Sequence, residues 1–282
     1  LSSSPTVAHF AHRLVARLDY LCLRGVTVTI DGLQAAPSLV TLTSDLLITI
    51  GTATAGYMFK PTSNSALLCS FITHSAYDAI TARNPIRDNA HAIFMDQPVE
   101  RFLALAMLLR QQQSRYNIGV LQGQSLSSMN QFELADVEVN SAILLADKNP
   151  AATIEPLVRS NDVFIVTPSS AYINRLVARL TLQLSMKYKK PVIGFSQKYA
   201  DAGALLSLYA SPEDIGKSTA QTVIAWLESG QRELSSAGGG QHYTISLNSH
   251  VARKYRLQLD LEQLYSKLPA QEQQLRLREV SK

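Results

Sequence analysis

The chain has 282 residues, of which 46% are hydrophobic and 17% are charged. This composition is typical of a globular protein with a large core and excludes an intrinsically disordered chain. The formal net charge of +4 and the pI near 9.0 are mild, and Lys and Arg are spread over predicted helix faces, so we predict no nucleic-acid partner. Every apolar run is shorter than the roughly 18 residues that suggest a membrane helix. The sequence therefore predicts no transmembrane segment.

The first hundred residues repeat a pattern of an apolar strand, a loop of small residues and a helix. This alternation is typical of a doubly wound parallel sheet with helices on both faces. The predicted strands are 26–30, 45–52 with its Gly-Thr end, 66–72 and 90–95, and the predicted helices are 7–21, 37–43, one that begins at about Thr52, and 76–82.

The pattern restarts after Asp96, which we predict to be the N-cap of the next helix, with Pro98 in its first turn. A later helix begins at Ser211, because a serine cap is followed by proline and then by an acid at Asp214. Two α/β lobes in succession are the simplest account. The remaining predicted strands are 116–121, 137–145, 163–166, 192–195 and 243–247, and the remaining helices are 99–109, 154–158 and 173–187. The polar tail after 268 is expected to be helical or frayed.

Small hydroxyl and glycine residues stand at the predicted carboxyl ends of five strands. Parallel strands end at one edge of their sheet, and helix N-termini above such loops offer N–H donors to a carboxylate or another polar small molecule. For any single loop, a serine or threonine that only caps a helix is the simpler interpretation, whereas five such loops favour a binding site. The candidate ligand-binding residues are Ser3, Ser4, Gly51, Thr52, Ala53, Thr73, His74, Thr167, Ser169, Ser170, Ser196 and Gln197.

The sequence contains no common motif of nucleophilic, metal-dependent or nucleotide-dependent catalysis. It has no P-loop, no GxGxxG, no HExxH and no GxSxG. Cys22 and Cys69 are the only cysteines and lack the spacing of a zinc site. We therefore predict no catalytic residues, no metal and no cofactor.

Three segments resemble the periplasmic substrate-binding proteins of ABC transporters, in the family that includes tryptophan/tyrosine-type binding proteins. Residues 45–56, DLLITIGTATAG, are similar to the family pattern D-I-I-V-T-x-G-T-x-A. Residues 191–205 end in AGAL and, with Tyr209, are similar to the pattern that ends in G-A-L-A-x-Y. Residues 243–259 resemble the closing segment I-N-x-x-T-A-x-x-L-G-L. The resemblance extends over nearly the whole chain.

The resemblance implies a type I periplasmic-binding-protein fold, in which two doubly wound α/β lobes have a ligand cleft between them. Mapped onto this sequence, the first lobe is 1–96 plus 210–236 and the second is 97–209 plus 237–282. The resemblance also implies an exported, periplasmic protein that delivers a small molecule to the membrane subunits of an ABC importer. The chain begins at Leu1 without a signal peptide, so we expect a processed chain.

This sequence departs from the family pattern at three places. Ser169 and Ser170 stand where many relatives carry an acid, which removes the expected partner of a ligand ammonium group. The helix expected between 121 and 137 is short, and Arg256 replaces the glycine of the closing segment. The sequence therefore favours a small polar ligand without naming it.

These patterns favour a non-enzymatic solute-binding protein, and two alternatives stay open. The chain could be a ligand-sensing or partner-binding module with the same fold and no transport role. It could also be the core of a sugar-repressor-like regulator, which shares the two-lobe fold. That function requires a DNA-binding headpiece, and residues 1–25 predict a single helix rather than a helix-turn-helix.

Overall fold

In the computed structural model the chain divides into two compact units, Leu1–Asp96 with Ala210–Tyr243, and Gln97–Tyr209 with Thr244–Lys282. The predictions for 1–44 and for the shortened helix between 121 and 137 lie outside the described residues. The structure describes residues 45–59, 65–84, 89–110, 114–122, 136–145, 149–168, 174–230, 234 and 242–280, with side chains up to residue 273.

The described part of the first unit contains a parallel sheet with the strand order β1-β2-β3. Each of the first two strands leads through a short loop into a helix, as the sequence predicts. The elements are β1 (Leu46–Ile50), α1 (Thr52–Met58), β2 (Ala66–Ile72), α2 (His74–Thr81), β3 (Ala90–Phe94) and, from the returning chain, α7 (Pro212–Glu228).

The central strand β2 of this sheet is buried on both faces. Leu67 and Cys69 pack with the residues of α1 and α2 on one face, while Leu68 packs with Ile215 and Val223 of α7 on the other. Because both faces are covered, the strand is a continuous apolar run rather than an alternating one. The buried hydroxyls of Ser70 on this strand and Thr219 on α7 lie 2.7 Å apart and add one polar tie between sheet and helix.

Asp96 caps a different helix from the one that the sequence predicts. Its Oδ1 accepts a hydrogen bond from the backbone N–H of His74, at the first residue of α2, with a distance of 2.9 Å. The following helix, α3 (Val99–Met107), has Pro98 as its N-cap. The prediction that Asp96 caps this helix is therefore wrong. The end of β3 brings the carboxylate beside the unpaired N–H groups of α2, which is a contact between elements distant in sequence.

The second unit contains a larger sheet with the strand order β5-β4-β6-β7-β8-β9. The strands from β5 to β8 pair in parallel, and the chain crosses between them through helices. The elements after α3 are β4 (Tyr116–Gln122), β5 (Val137–Ile143), α4 (Pro150–Ser160), β6 (Val163–Val166), α5 (Arg175–Tyr188), β7 (Val192–Gly194), α6 (Gln197–Asp201), β8 (Leu206–Tyr209), β9 (Thr244–Leu247), α8 (Ser249–Lys254) and α9 (Leu261–Val280).

The last strand, β9, runs antiparallel to β8, with Tyr209 opposite Thr244 and Leu206 opposite Leu247. The repeating strand–helix pattern alone predicts a parallel strand here. The difference arises because the chain leaves this unit at the end of β8, Tyr209, and returns beside that same residue at the start of β9, Thr244. The shortest way back into the sheet is then a reversal of direction rather than a crossover.

Both faces of the larger sheet are also covered. On one face, Leu121, Phe164 and Val166 pack with residues of α4 and α5. Helix α9 packs along α3, and their contact contains a buried ion pair. The Nε of Arg101 donates to Oε2 of Glu272 over 2.8 Å, and these side chains are only 8% and 9% exposed. The guanidinium also donates to Oε1 of Gln97, at the start of α3.

Arg256 occupies a backbone conformation that favours glycine. Its φ is 57°, and it directly follows the C-cap of α8, Tyr255. The N–H groups of Arg256 and Leu257 donate to the carbonyls of Arg253 and Ala252, which is the hydrogen-bond pattern of a Schellman motif. This is the position at which the resembling family carries glycine, so the arginine holds a left-handed conformation that disfavours its Cβ.

A second glycine requirement comes from packing. Gly194 ends β7, and a Cβ placed on it would lie 3.0 Å from Cδ1 of Tyr199 and closer still to its Cβ and Cγ. The tyrosine ring is buried beside Phe195, with the two ring centroids 5.1 Å apart. The short helix α6 therefore lies against the sheet only because residue 194 has no side chain.

Candidate functional site

The first group of predicted site residues lies at the carboxyl edge of the sheet in the first unit. Gly51 follows β1 with φ 88°, a left-handed conformation that favours glycine. Its N–H donates to the carbonyl of Ser70 over 2.9 Å, which ties the loop to the neighbouring strand. Thr52 and Ala53 begin α1 and are exposed. This loop therefore presents backbone and small side chains to solvent from a fixed position.

Thr73 and His74 follow the adjacent strand, β2, so the structure brings them to the same edge as Gly51. The Oγ1 of Thr73 accepts from the N–H of Ala76 over 3.2 Å and caps α2. The exposed ring of His74 has its Nδ1 3.0 Å from Asp78 Oδ2 and its centroid 4.7 Å from that of Phe94. Thr73 thus has the capping role that the simpler interpretation gives it, while His74 is accessible.

The second group lies at the carboxyl edge of the sheet in the second unit, where β6 and β7 end. Thr167 is only 2% exposed, and its hydroxyl donates to the carbonyl of Leu121 over 3.0 Å. Ser196 is the N-cap of α6, without a hydrogen bond from its side chain to that helix. Thr167 therefore joins the ends of two strands, whereas the hydroxyl of Ser196 makes no capping hydrogen bond.

Gln197 is exposed, and both ends of its carboxamide are bonded to other side chains of the unit. Its Oε1 accepts from Tyr209 and, over 2.6 Å, from Ser246. Its Nε2 donates to Asp201 over 2.8 Å. A ligand that used this side chain would have to replace one of these bonds. The network joins α6 to β8 and β9 at the points where the chain leaves and re-enters the unit.

Gln122 is a polar residue at this edge that the sequence prediction missed. It ends β4, next to β6, and the residue is 4% exposed. Among the described residues, its Nε2 has no hydrogen-bond partner. The available signal was the same as for the other loops, namely a polar residue that directly follows an apolar run. The sequence prediction placed no ligand-binding loop after the strand 116–121, so Gln122 was not among the candidates.

The four remaining predicted residues, Ser3, Ser4, Ser169 and Ser170, lie outside the described residues. Within the part of the chain that the structure describes, no group of three or more His, Cys, Asp or Glu side chains is placed to hold a metal ion. None of the described helices is both long and apolar enough to cross a bilayer. The groups that the two edges offer are hydroxyls, amides, backbone N–H groups and the imidazole of His74, all of which form hydrogen bonds.

Comparisons with known proteins find similarity in structure rather than in sequence. No protein-family model and no curated protein matches the sequence. A ligand-free, open substrate-binding protein with adhesive properties from Clostridium difficile aligns with a TM-score of 0.63 and 16% identity, over 93% of this chain and 94% of that one.

Two further solved structures align over similar lengths. An ABC domain in complex with L-Trp from Streptococcus pneumoniae has a TM-score of 0.56 and 16% identity, over 94% of this chain and 96% of that one. A conserved domain protein from Vibrio cholerae has a TM-score of 0.53 and 19% identity, over 93% and 94%. At identities this low, the likeness concerns the fold.

Proposed function

We propose that this chain, which has the two-lobe α/β fold of type I periplasmic binding proteins, is a non-enzymatic solute-binding protein. Its ligand is a small polar molecule held by the strand-end loops of the two sheets. The observation that carries this proposal is the repeated placement of accessible small and polar residues at the carboxyl edge of a parallel sheet, once in each unit. Open α/β sheets bind ligands at this edge.

The residues proposed to contact the ligand are those of the sequence prediction. Among the described ones, Thr52, Ala53 and His74 are exposed in the first unit, and Ser196 has an uncommitted hydroxyl in the second. Their groups recognise oxygen and nitrogen atoms through hydrogen bonds. The proposed lobes are 1–96 plus 210–236 and 97–209 plus 237–282.

The proposed physiological setting is import. We propose that the protein is exported to the periplasm and delivers its ligand to the membrane subunits of an ABC transporter. The support is the resemblance of three sequence segments to that family, together with a fold that known substrate-binding proteins share. Stimulation of the transporter's ATP hydrolysis by the ligand-loaded protein, and not by the free protein, tests this role.

A thermal-shift screen tests ligand binding itself. The panel consists of the proteinogenic amino acids, small carboxylic acids, nucleosides, pentoses and hexoses. A ligand present at a hundred times its Kd stabilises the folded state by about 2.7 kcal/mol, which raises the Tm of a protein of this size by roughly 5 to 10 °C. No shift with any member of the panel would argue against the proposal.

A pair of matched variants locates the site. Ala53→Trp places an indole on the exposed first turn of α1, and we expect it to abolish the thermal shift while the free protein keeps its Tm. Ala79→Trp adds the same group at an exposed position of α2 and should leave binding unchanged. Equal binding by both variants would remove the loop after β1 from the site.

A further inference from the structure

Gln122 occupies the last position of β4, beside the end of β6. Leu121 pairs with Val166 in the parallel register, so the next residues along the two strands, Gln122 and Thr167, lie side by side at the carboxyl edge. Side chains alternate between the faces of a strand, and Gln122 therefore shares its face with Val120, while Leu121 belongs to the core on the other face.

The carboxamide of Gln122 is buried without having its donor satisfied. The residue is 4% exposed, and its Nε2 has no hydrogen-bond partner among the described residues. The neighbouring Thr167 is equally buried, yet its hydroxyl is satisfied by the carbonyl of Leu121 over 3.0 Å. A buried amide N–H₂ without an acceptor destabilises the folded state, so an unsatisfied one at a candidate ligand edge points to a function.

Of the other buried side chains with an unpartnered polar atom among the described residues, Gln97 and Ser218 have different surroundings. Gln97 also has an unpartnered Nε2, but its Oε1 accepts from Arg101 inside the contact between α3 and α9. The hydroxyl of Ser218 lies on the buried side of α7, within a helix. Gln122 differs from both because it stands at the end of a strand, next to a predicted ligand-binding residue.

We propose that Gln122 is a specificity-determining residue of the ligand site, whose Nε2 donates a hydrogen bond to an oxygen acceptor of the bound molecule. The inference rests on the proposed solute-binding function and deepens it by naming the ligand class. The ligand presents an oxygen acceptor at this position, namely a carboxylate, carbonyl or hydroxyl oxygen, because an amide nitrogen can donate but cannot accept. A ligand ammonium group could not bind this Nε2.

Two substitutions test whether residue 122 acts as a hydrogen-bond donor to the ligand. Gln122→Met keeps the length of the side chain and removes the donor, and we expect the affinity for a panel hit to fall at least tenfold. Gln122→Glu replaces the donor with an acceptor, and we expect a larger loss. The free Gln122→Met protein should melt at the same temperature as the wild type or higher, because an unsatisfied donor has been removed. Ser218→Ala, which removes another unpartnered buried group, is the control and should leave affinity unchanged.

The ligand provides the second half of the test. For an amino-acid hit, the corresponding amine without the carboxylate is measured in parallel by isothermal titration calorimetry. Removal of the carboxylate should weaken binding to the wild type much more than binding to Gln122→Met, because the two changes remove the same contact. Carbonyl-bearing hits are compared in the same way with analogues in which a CH₂ group replaces the C=O, because an alcohol oxygen would still accept from Nε2.

The outcomes separate this inference from the proposed function. If the wild type binds no member of the panel, the proposed function fails and the inference fails with it. If the wild type binds a ligand and Gln122→Met binds it equally well, the inference alone is refuted. Tighter binding by Gln122→Glu would also refute it, since the ligand would then present a donor.

Discussion

The buried pair of Arg101 and Glu272 gives the sharpest prediction for stability. The two side chains are 8% and 9% exposed, and the guanidinium donates to both carboxylate oxygens, over 2.8 Å from Nε and 3.3 Å from Nη2. Glu272→Gln leaves the arginine charge buried with a neutral partner. Removal of one partner of such a pair costs about 3 to 5 kcal/mol, and because Gln97 still accepts from the guanidinium, we expect a loss of about 3 kcal/mol.

The assay is urea unfolding followed by far-ultraviolet circular dichroism, with a thermal scan in parallel. A loss of about 3 kcal/mol corresponds to a decrease in Tm of roughly 6 to 12 °C. Glu262→Gln, at an exposed position of the same helix α9, is the matched control and should stay within about 0.5 kcal/mol of the wild type.

A double variant distinguishes the buried charge from simple packing. Arg101→Met with Glu272→Leu removes both charges and keeps apolar volume, and we expect it to be more stable than Glu272→Gln alone, since the desolvation of both ions is no longer needed. The reasoning is refuted if Glu272→Gln loses less than about 1 kcal/mol, or if the double variant is less stable than the single one.

Three further predictions concern glycine positions and one carboxylate. Gly194→Ala should destabilise the protein by about 1 to 3 kcal/mol, because the new methyl group clashes with Tyr199. Gly56→Ala on α1 should instead stabilise it by about 0.5 to 1 kcal/mol, since its new Cβ meets only side-chain atoms at 3.8 Å. Equal effects of the two substitutions in urea unfolding would contradict this reasoning. Arg256→Gly should raise stability by about 1 kcal/mol by removing the left-handed strain, and a lower Tm would count against it. Burial raises the pKa of Asp96, so the folded state holds its proton where the unfolded chain has lost it. Stability should therefore fall as pH rises from the ordinary value of 3.8 through the raised pKa, and Asp96→Asn should lack this pH dependence.

Local sequence patterns predicted most of the fold because its strands and helices are specified locally. The apolar run of β2 and the helix start at Ser211 need no information from elsewhere. Ser211 accepts from the N–H of Asp214, and the carboxylate of Asp214 accepts from the N–H of Ser211, which is the capping box read from the sequence. Some element ends differ by a residue or two, as at β7, which ends at Gly194 rather than at 195. Helix α9 begins at Leu261, several residues before the predicted tail after 268, and the short elements α6, β8 and α8 were not predicted.

The features that escaped prediction depend on contacts between distant residues. Asp96 accepts a hydrogen bond from His74, 22 residues earlier in the sequence, and Arg101 pairs with Glu272, 171 residues later. Neither partner can be identified from spacing alone. Gln122 escaped because its significance depends on burial and on a missing partner, which a sequence does not show. Departures from local rules are expected at functional sites, and Gln122 fits that expectation.

The antiparallel pairing of β8 with β9 has a consequence for which segment of the chain can be removed or exchanged. Tyr209 and Thr244 face each other across neighbouring strands, so the whole excursion 210–243 begins and ends at adjacent points of one sheet. A short turn that joined these two residues would convert β8 and β9 into an ordinary hairpin and preserve their register. The second unit is in this sense a continuous scaffold into which a piece of the first is spliced. Such a junction is where evolution or a protein engineer can exchange a segment without rebuilding the sheet around it.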